Sequence, residues 1–117
     1  MAILIEKPTR IEAAGNMEKI IREFVGKVNT ETADISIARM ESPAGWEEPG
    51  QTPAFREYTI VLRGFLKAET REQAFDIGAG QAFIAEAGEW VRYSSPYEGG
   101  AEYISVCIPA FSPELVN

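Results

Sequence analysis

Short apolar-polar alternations fill the chain from about Ala33 onward. Ile35 and Ile37 alternate with polar residues in ADISIARM, and FREYTIVLRG, GFLKAE, AFDIGAG, QAFIAEAG, EWVRYSS and AEYISVCIP follow. Successive side chains of a strand face opposite sides of its sheet, so such runs predict half-buried strands. Gly, Pro, Glu and Ser punctuate them at spacings of about ten residues, the rhythm of an antiparallel sandwich or barrel. The first 32 residues differ. Met17, Ile20, Ile21, Phe24 and Val25 fall on one helical stripe, Asn16 can cap it and Gly26 can end it. Glu18, Lys19, Arg22 and Glu23 take the wet side. A helix is therefore expected over about 16–26, laid on the sheet. With no second helical pattern after Gly26, a parallel βαβ sheet is unsuited to this chain. The expectation is an all-β fold with a short N-terminal α-helix.

In Phe55–Arg63 one face carries Phe55, Glu57, Thr59, Val61 and Arg63, and the other Tyr58, Ile60 and Leu62. Neither face is cleanly polar, so both need cover. One side is expected to face a barrel interior. The other is expected to meet the helix, a second sheet or another subunit, which makes a homodimer the expected assembly.

At 117 residues one domain spanning 1–117 is expected: an extension over 1–32, a barrel over 33–109 and a tail over 110–117. Eleven basic against 18 acidic residues leave a formal charge of −7. That charge opposes phosphate backbones and anionic lipid, so neither nucleic acid nor a membrane is an expected partner. The single cysteine, Cys107, permits no internal disulfide and suits a reducing cytoplasm. There is no histidine. Imidazole metal ligands and histidine-activated nucleophiles are therefore absent from the chain, and Cys107 reads as a buried, inert thiol.

Two spaced motifs resemble those of the cupins. The first cupin motif reads Gly, five residues, His-x-His, three or four residues, Glu, six residues, Gly; here Gly45, Gln51-Thr52-Pro53, Glu57 and Gly64 hold those intervals. The second reads Gly, five residues, Pro-x-Gly, two residues, His, three residues, Asn; Gly80, Glu86-Ala87-Gly88, Val91 and Ser95 match its spacing. The resemblance covers about 45–95, with strand signals extending it to 33–109. It implies a jelly-roll barrel, a double-stranded β-helix, enclosing a ligand cavity, and it likens VLRG to a strand leading into a hairpin turn. The four positions where a typical cupin holds its metal are Gln51, Pro53, Glu57 and Val91. Proline and valine offer no side-chain donor atom. The resemblance thus implies the barrel and cavity without metal or other cofactor. An oxygen-rich set of Glu47, Glu48, Gln51 and Glu57 is the alternative for a hard cation, set against a solvated acidic GWEEPG loop.

The expected ligand contacts are Gln51, Glu57, Thr59, Val91, Tyr93 and Tyr103. Glu57 is the candidate acid or base, in a half-apolar setting that favours its protonated form; a structural carboxylate tied to Arg56, Arg63, Arg92 or Gln51 is the competing role. Trp46 and Tyr97 could wall the opening, and Phe111 could pack on the body or a neighbour. These features suggest a protein that binds a small polar organic ligand without metal. The alternatives are an isomerase, epimerase or lyase acting on a sugar or small acid through Glu57, and an oligomeric regulatory or structural partner. Histidine-poor cupins of ethanolamine utilisation look similar, but their phosphoryl-transfer activity has no phosphate-binding motif to support it here.

Overall fold

The computed structural model describes residues 1–116, so Asn117, the last residue of the expected tail, lies outside the described residues. Among the described residues nine strands form one curled antiparallel sheet: β1 Thr9–Ile11, β2 Ile20–Val25, β3 Ser36–Ser42, β4 Trp46–Glu47, β5 Arg56–Thr70, β6 Ala74–Gly78, β7 Ala82–Ala85, β8 Val91–Ser95 and β9 Ala101–Ile108. The main order is β1-β2-β3-β9-β5-β8-β4, with β6 and β7 also paired to β5. This is the expected all-β jelly-roll architecture.

The 15-residue β5 holds the two halves of the barrel together. Its first part pairs with β9 and β7, and its last part with β6 and β8. Between them the register with β9 shifts at Val61–Arg63, and Gly64 turns the strand with φ of 75°. A Cβ at Gly64 would lie 2.1 Å from the Gly100 carbonyl oxygen. VLRG is therefore no hairpin: FREYTIVLRG and GFLKAE are one strand bent at a glycine, because only glycine fits both that backbone and that close approach.

The helix expected over 16–26 is replaced by strand β2, paired to β1 and β3. Ile20 to Val25 is rich in β-branched and aromatic residues, and the open edge of β3 supplies hydrogen-bond partners that a lone nine-residue helix would lack. The wet side fails with it. Lys19, just before β2, and Glu23 within it are buried at 8% and 2% exposure and line the interior with Ile21.

Inside, one end of the barrel is filled by Trp46, Val61, Leu66, Ala68, Ile77 and Ala101. The other end is open space. Outside, Tyr58, Ile60 and Leu62 of β5 meet no helix among the described residues, and Ile60, Leu62, Ile84 and Ile108 remain about half exposed. Register places Ile60 beside Ala82 and Ile104, and Tyr58 beside Ile84 and Val106, which makes that face a continuous apolar surface.

Gly64→Ala is expected to cost about 2 kcal/mol or more in urea denaturation, since it combines a positive φ with a backbone clash. A loss below about 0.5 kcal/mol would show that the bend tolerates a side chain.

Candidate functional site

The open end encloses a cavity of about 450 Å³. Gln51, Glu57, Thr59, Val91, Tyr93 and Tyr103 line it together. Strand parity explains the convergence. Glu57 pairs with Cys107, Thr59 with Ser105 and Val61 with Tyr103, so all six side chains share the inner face of β5 and β9. On the facing side Gln51 and Val91 form a reciprocal backbone bridge, with N–H to O distances of 3.0 and 2.8 Å. Tyr93 projects from β8, two residues beyond Val91.

Glu57 is not tied to any of the three arginines. Arg56 pairs with Glu86, Arg63 with Glu102, and Arg92 with Glu69 and Glu47. Instead its Oε2 accepts a hydrogen bond from the Ser105 hydroxyl and a longer contact from the Cys107 thiol at 3.8 Å. Among the described residues no lysine or arginine forms an ion pair with it. Nearby, the Tyr93 hydroxyl is buried and, among the described residues, has no partner at hydrogen-bond distance. Burial, then the Glu57 carboxylate, hold that phenol protonated far above neutrality. Tyr103 differs: its hydroxyl lies 2.7 Å from the Ser42 Oγ, so only its ring is free to meet a ligand.

The GWEEPG pair divides. Glu47 is exposed, 3.7 Å from Arg92, and does not line the cavity. Glu48 lines it and is partly buried, contrary to a solvated loop. Because burial outweighs the attraction of Lys19, its carboxyl is pushed up to about 7.

Several lining residues lay outside the expected set. The Lys19 ammonium sits 4.1 Å from the centre of the Trp46 ring and 5.1 Å from that of Tyr103. Glu23 accepts the backbone N–H groups of Val28 and Asn29 at 3.0 and 2.9 Å. Phe111 lines the cavity, edge-on to Phe55 at 5.9 Å, so the tail closes one wall. The inward alternation Lys19-Ile21-Glu23, stopped by Gly26, was the signal for the first two. Trp46 and Tyr97 do not wall the opening: Trp46 is fully buried in the packed end, and Tyr97 stands outside, bonded to Asp76 at 2.7 Å. Burial and the Glu57 charge push the Cys107 thiol well up, away from any thiolate.

Solved structures share this architecture. A predicted oxalate decarboxylase from Thermotoga maritima aligns with a TM-score of 0.74 at 21% identity, over 93% of this chain and 99% of that one. A putative ethanolamine utilization protein Q from Salmonella typhimurium gives 0.70 at 13%, over 90% and 98%. The chain has a cupin fold. The polyketide cyclase RemF from Streptomyces resistomycificus, at 0.74 and 14% over 97% of this chain and 81% of that one, shows how widely named activities vary on cupin barrels. No protein-family model matches the chain. A curated protein named endoribonuclease YbeY, from Myxococcus xanthus, is 43% identical over 99 residues, 85% of this chain. The chain spans about a third of that protein's length, 34%.

At the cupin metal positions this barrel offers one amide, Gln51, and one carboxylate, Glu57, beside Pro53 and Val91. Among the described residues no group of three His, Cys, Asp or Glu side chains is placed to hold an ion. Glu47 points away, and that donor set does not fit a metal.

Folding raises the Glu48 pKa from 4.5 to about 7. The folded state therefore holds this proton more tightly than the unfolded chain. The resulting stability is complete below the unfolded value and is lost as pH rises through about 7. Urea denaturation should show Glu48→Gln more stable than the parent by about 1–2 kcal/mol at about pH 8, with little difference at about pH 4.5. An equal effect at both values would contradict the assignment.

Proposed function

We propose that this cupin binds a small organic molecule in its barrel cavity without a resident metal. The observation that carries the reading is the Tyr93 hydroxyl, buried and unpartnered beside the cavity. An unmet buried hydroxyl costs about 1–3 kcal/mol, which a ligand's hydrogen bond would recover. Glu57, Thr59 and Gln51 supply further polar contacts, and Val91 with the Tyr103 ring supplies apolar surface. The ligand belongs to the polar-headed, largely apolar class that such walls suit.

A second reading, metal-independent proton transfer in isomerisation, epimerisation or elimination, is favoured by one feature. Glu48 titrates near neutrality, where a carboxyl can both give and take a proton. In that reading Glu48 exchanges the proton while Glu57 and Tyr93 hold the substrate. The endoribonuclease activity of the curated relative is not carried over, since a chain of charge −7 without histidine is poorly suited to RNA.

The bare outer face supports a homodimer. Ile60, Leu62 and Ile84 form an apolar surface that no helix of the described residues covers. A second copy would cover that face through the same residues on both protomers, as two-fold symmetry requires.

In calorimetric titration of a fragment set, binding should survive chelator treatment and weaken about tenfold or more in Tyr93→Phe. A tightly held metal at one per chain, or binding lost to chelator, would overturn the metal-free reading. In sedimentation the protein should behave as twice 12.9 kDa, and Ile60→Glu should give monomers. A parent protein that is monomeric at about 100 μM would refute the dimer.

A further inference from the structure

The charges that face the cavity are unbalanced. Among the described residues Glu12, Glu23, Glu48 and Glu57 line it against one cation, Lys19. Each carboxylate has a different standing. Glu12 lies exposed at the mouth, and Glu23 is satisfied by two backbone N–H groups. Lys19 is held over the Trp46 and Tyr103 rings, where it also attracts Glu48. Glu57 is left with a hydroxyl and a thiol but no positive partner. Beside it stands the Tyr93 hydroxyl, more than nine-tenths buried and, among the described residues, with no partner at hydrogen-bond distance. A partly buried carboxylate without a counter-ion is costly unless one arrives with a ligand.

We propose that the cavity selects a small organic cation, a protonated amine on an apolar body, whose ammonium donates to the Glu57 carboxylate and the Tyr93 hydroxyl oxygen. This deepens the ligand-binding reading above and rests on it. An ammonium has three donors and no acceptor, so it satisfies both groups at once. A carboxylate ligand would meet repulsion from Glu57 and Glu48, and a neutral alcohol would leave the Glu57 charge uncompensated. The aromatic walls of Phe55, Tyr93, Tyr103 and Phe111 suit the apolar body and offer ring faces to the positive end.

The cation should also be felt at Glu48. The groups facing that carboxyl are Lys19 from the strand entrance of β2, Glu57 from β5 and Tyr93 from β8. A positive ligand favours ionised Glu48, so binding should release a proton near neutrality and tighten as pH rises from about 6 to about 8. The amine itself stays protonated over that range, as a lysine does.

The test uses the full-length protein and a fragment set in which each ring skeleton carries an amine, an alcohol or an acid, headed by 2-phenylethylamine, 2-phenylethanol and phenylacetate. Calorimetry in buffers of differing ionisation heat reads affinity and proton release together. The amines should bind about tenfold or more tighter than their matched alcohols and acids. That margin should disappear in Glu57→Gln and shrink in Tyr93→Phe, with melting curves confirming that both variants fold. If alcohols or acids bind the cavity as tightly as the amines, the cation preference is wrong while cavity binding stands. If no fragment of any class binds the parent protein in the cavity, both readings fail. An amine margin retained in a folded Glu57→Gln would also overturn the assignment.

Discussion

The pairing of β5 with β9 sets everything else in place. Glu57 opposite Cys107, Thr59 opposite Ser105 and Val61 opposite Tyr103 bring alternate side chains of two neighbouring strands onto one inner face. A slip of one residue would turn Glu57 outward and bring Tyr58 into the barrel. That register is secured by the bend at Gly64, which lets a single strand leave one half of the sheet and enter the other. The packed end built on Trp46, Val61 and Leu66 provides the apolar burial that holds the register. The open end is thereby free to carry polar groups that contribute little to folding.

This division of labour accounts for the character of the site. The barrel tolerates a carboxylate without a counter-ion and a tyrosine without a partner because its other half is solidly packed. Polar groups left unmet in an otherwise satisfied interior are a marker of ligand binding, since their cost falls when something arrives to bond them. Pro53 and Val91 remove donors at two of the four positions where a typical cupin would hold a metal, while the walls around them remain. The cavity therefore offers hydrogen bonds and charge.

Much of this was legible in the residues. Runs such as AEYISVCIP and EWVRYSS carry their alternation openly because β8 and β9 have one inner and one outer face. The spacing from Gly45 to Gly64 and from Gly80 to Ser95 located Gln51, Glu57 and Val91, and parity added Thr59, Tyr93 and Tyr103. The segment Met17–Val25 misled for a physical reason. Its apolar residues fit a helical stripe, and as a strand its inner face mixes Lys19 and Glu23 with Ile21 while its outer face carries Ile20 and Phe24. With no polar-apolar contrast between the faces, period two was hidden. Glu48 is named in the sequence only beside Glu47, as a cation ligand or part of a solvated loop; it follows the two-residue β4, too short for any periodicity to separate the pair, and its burial comes from tertiary packing. The Gly64 bend was mistaken for a turn because a glycine ending an apolar run serves either purpose.

The most direct test of a cavity built for an organic occupant is a high-resolution crystal structure of protein purified from cells with no ligand or metal added. The account predicts non-protein density of organic shape in the barrel, within hydrogen-bond distance of the Tyr93 hydroxyl. A coordinated metal ion at Gln51 and Glu57, or side chains collapsed to fill the space, would contradict it.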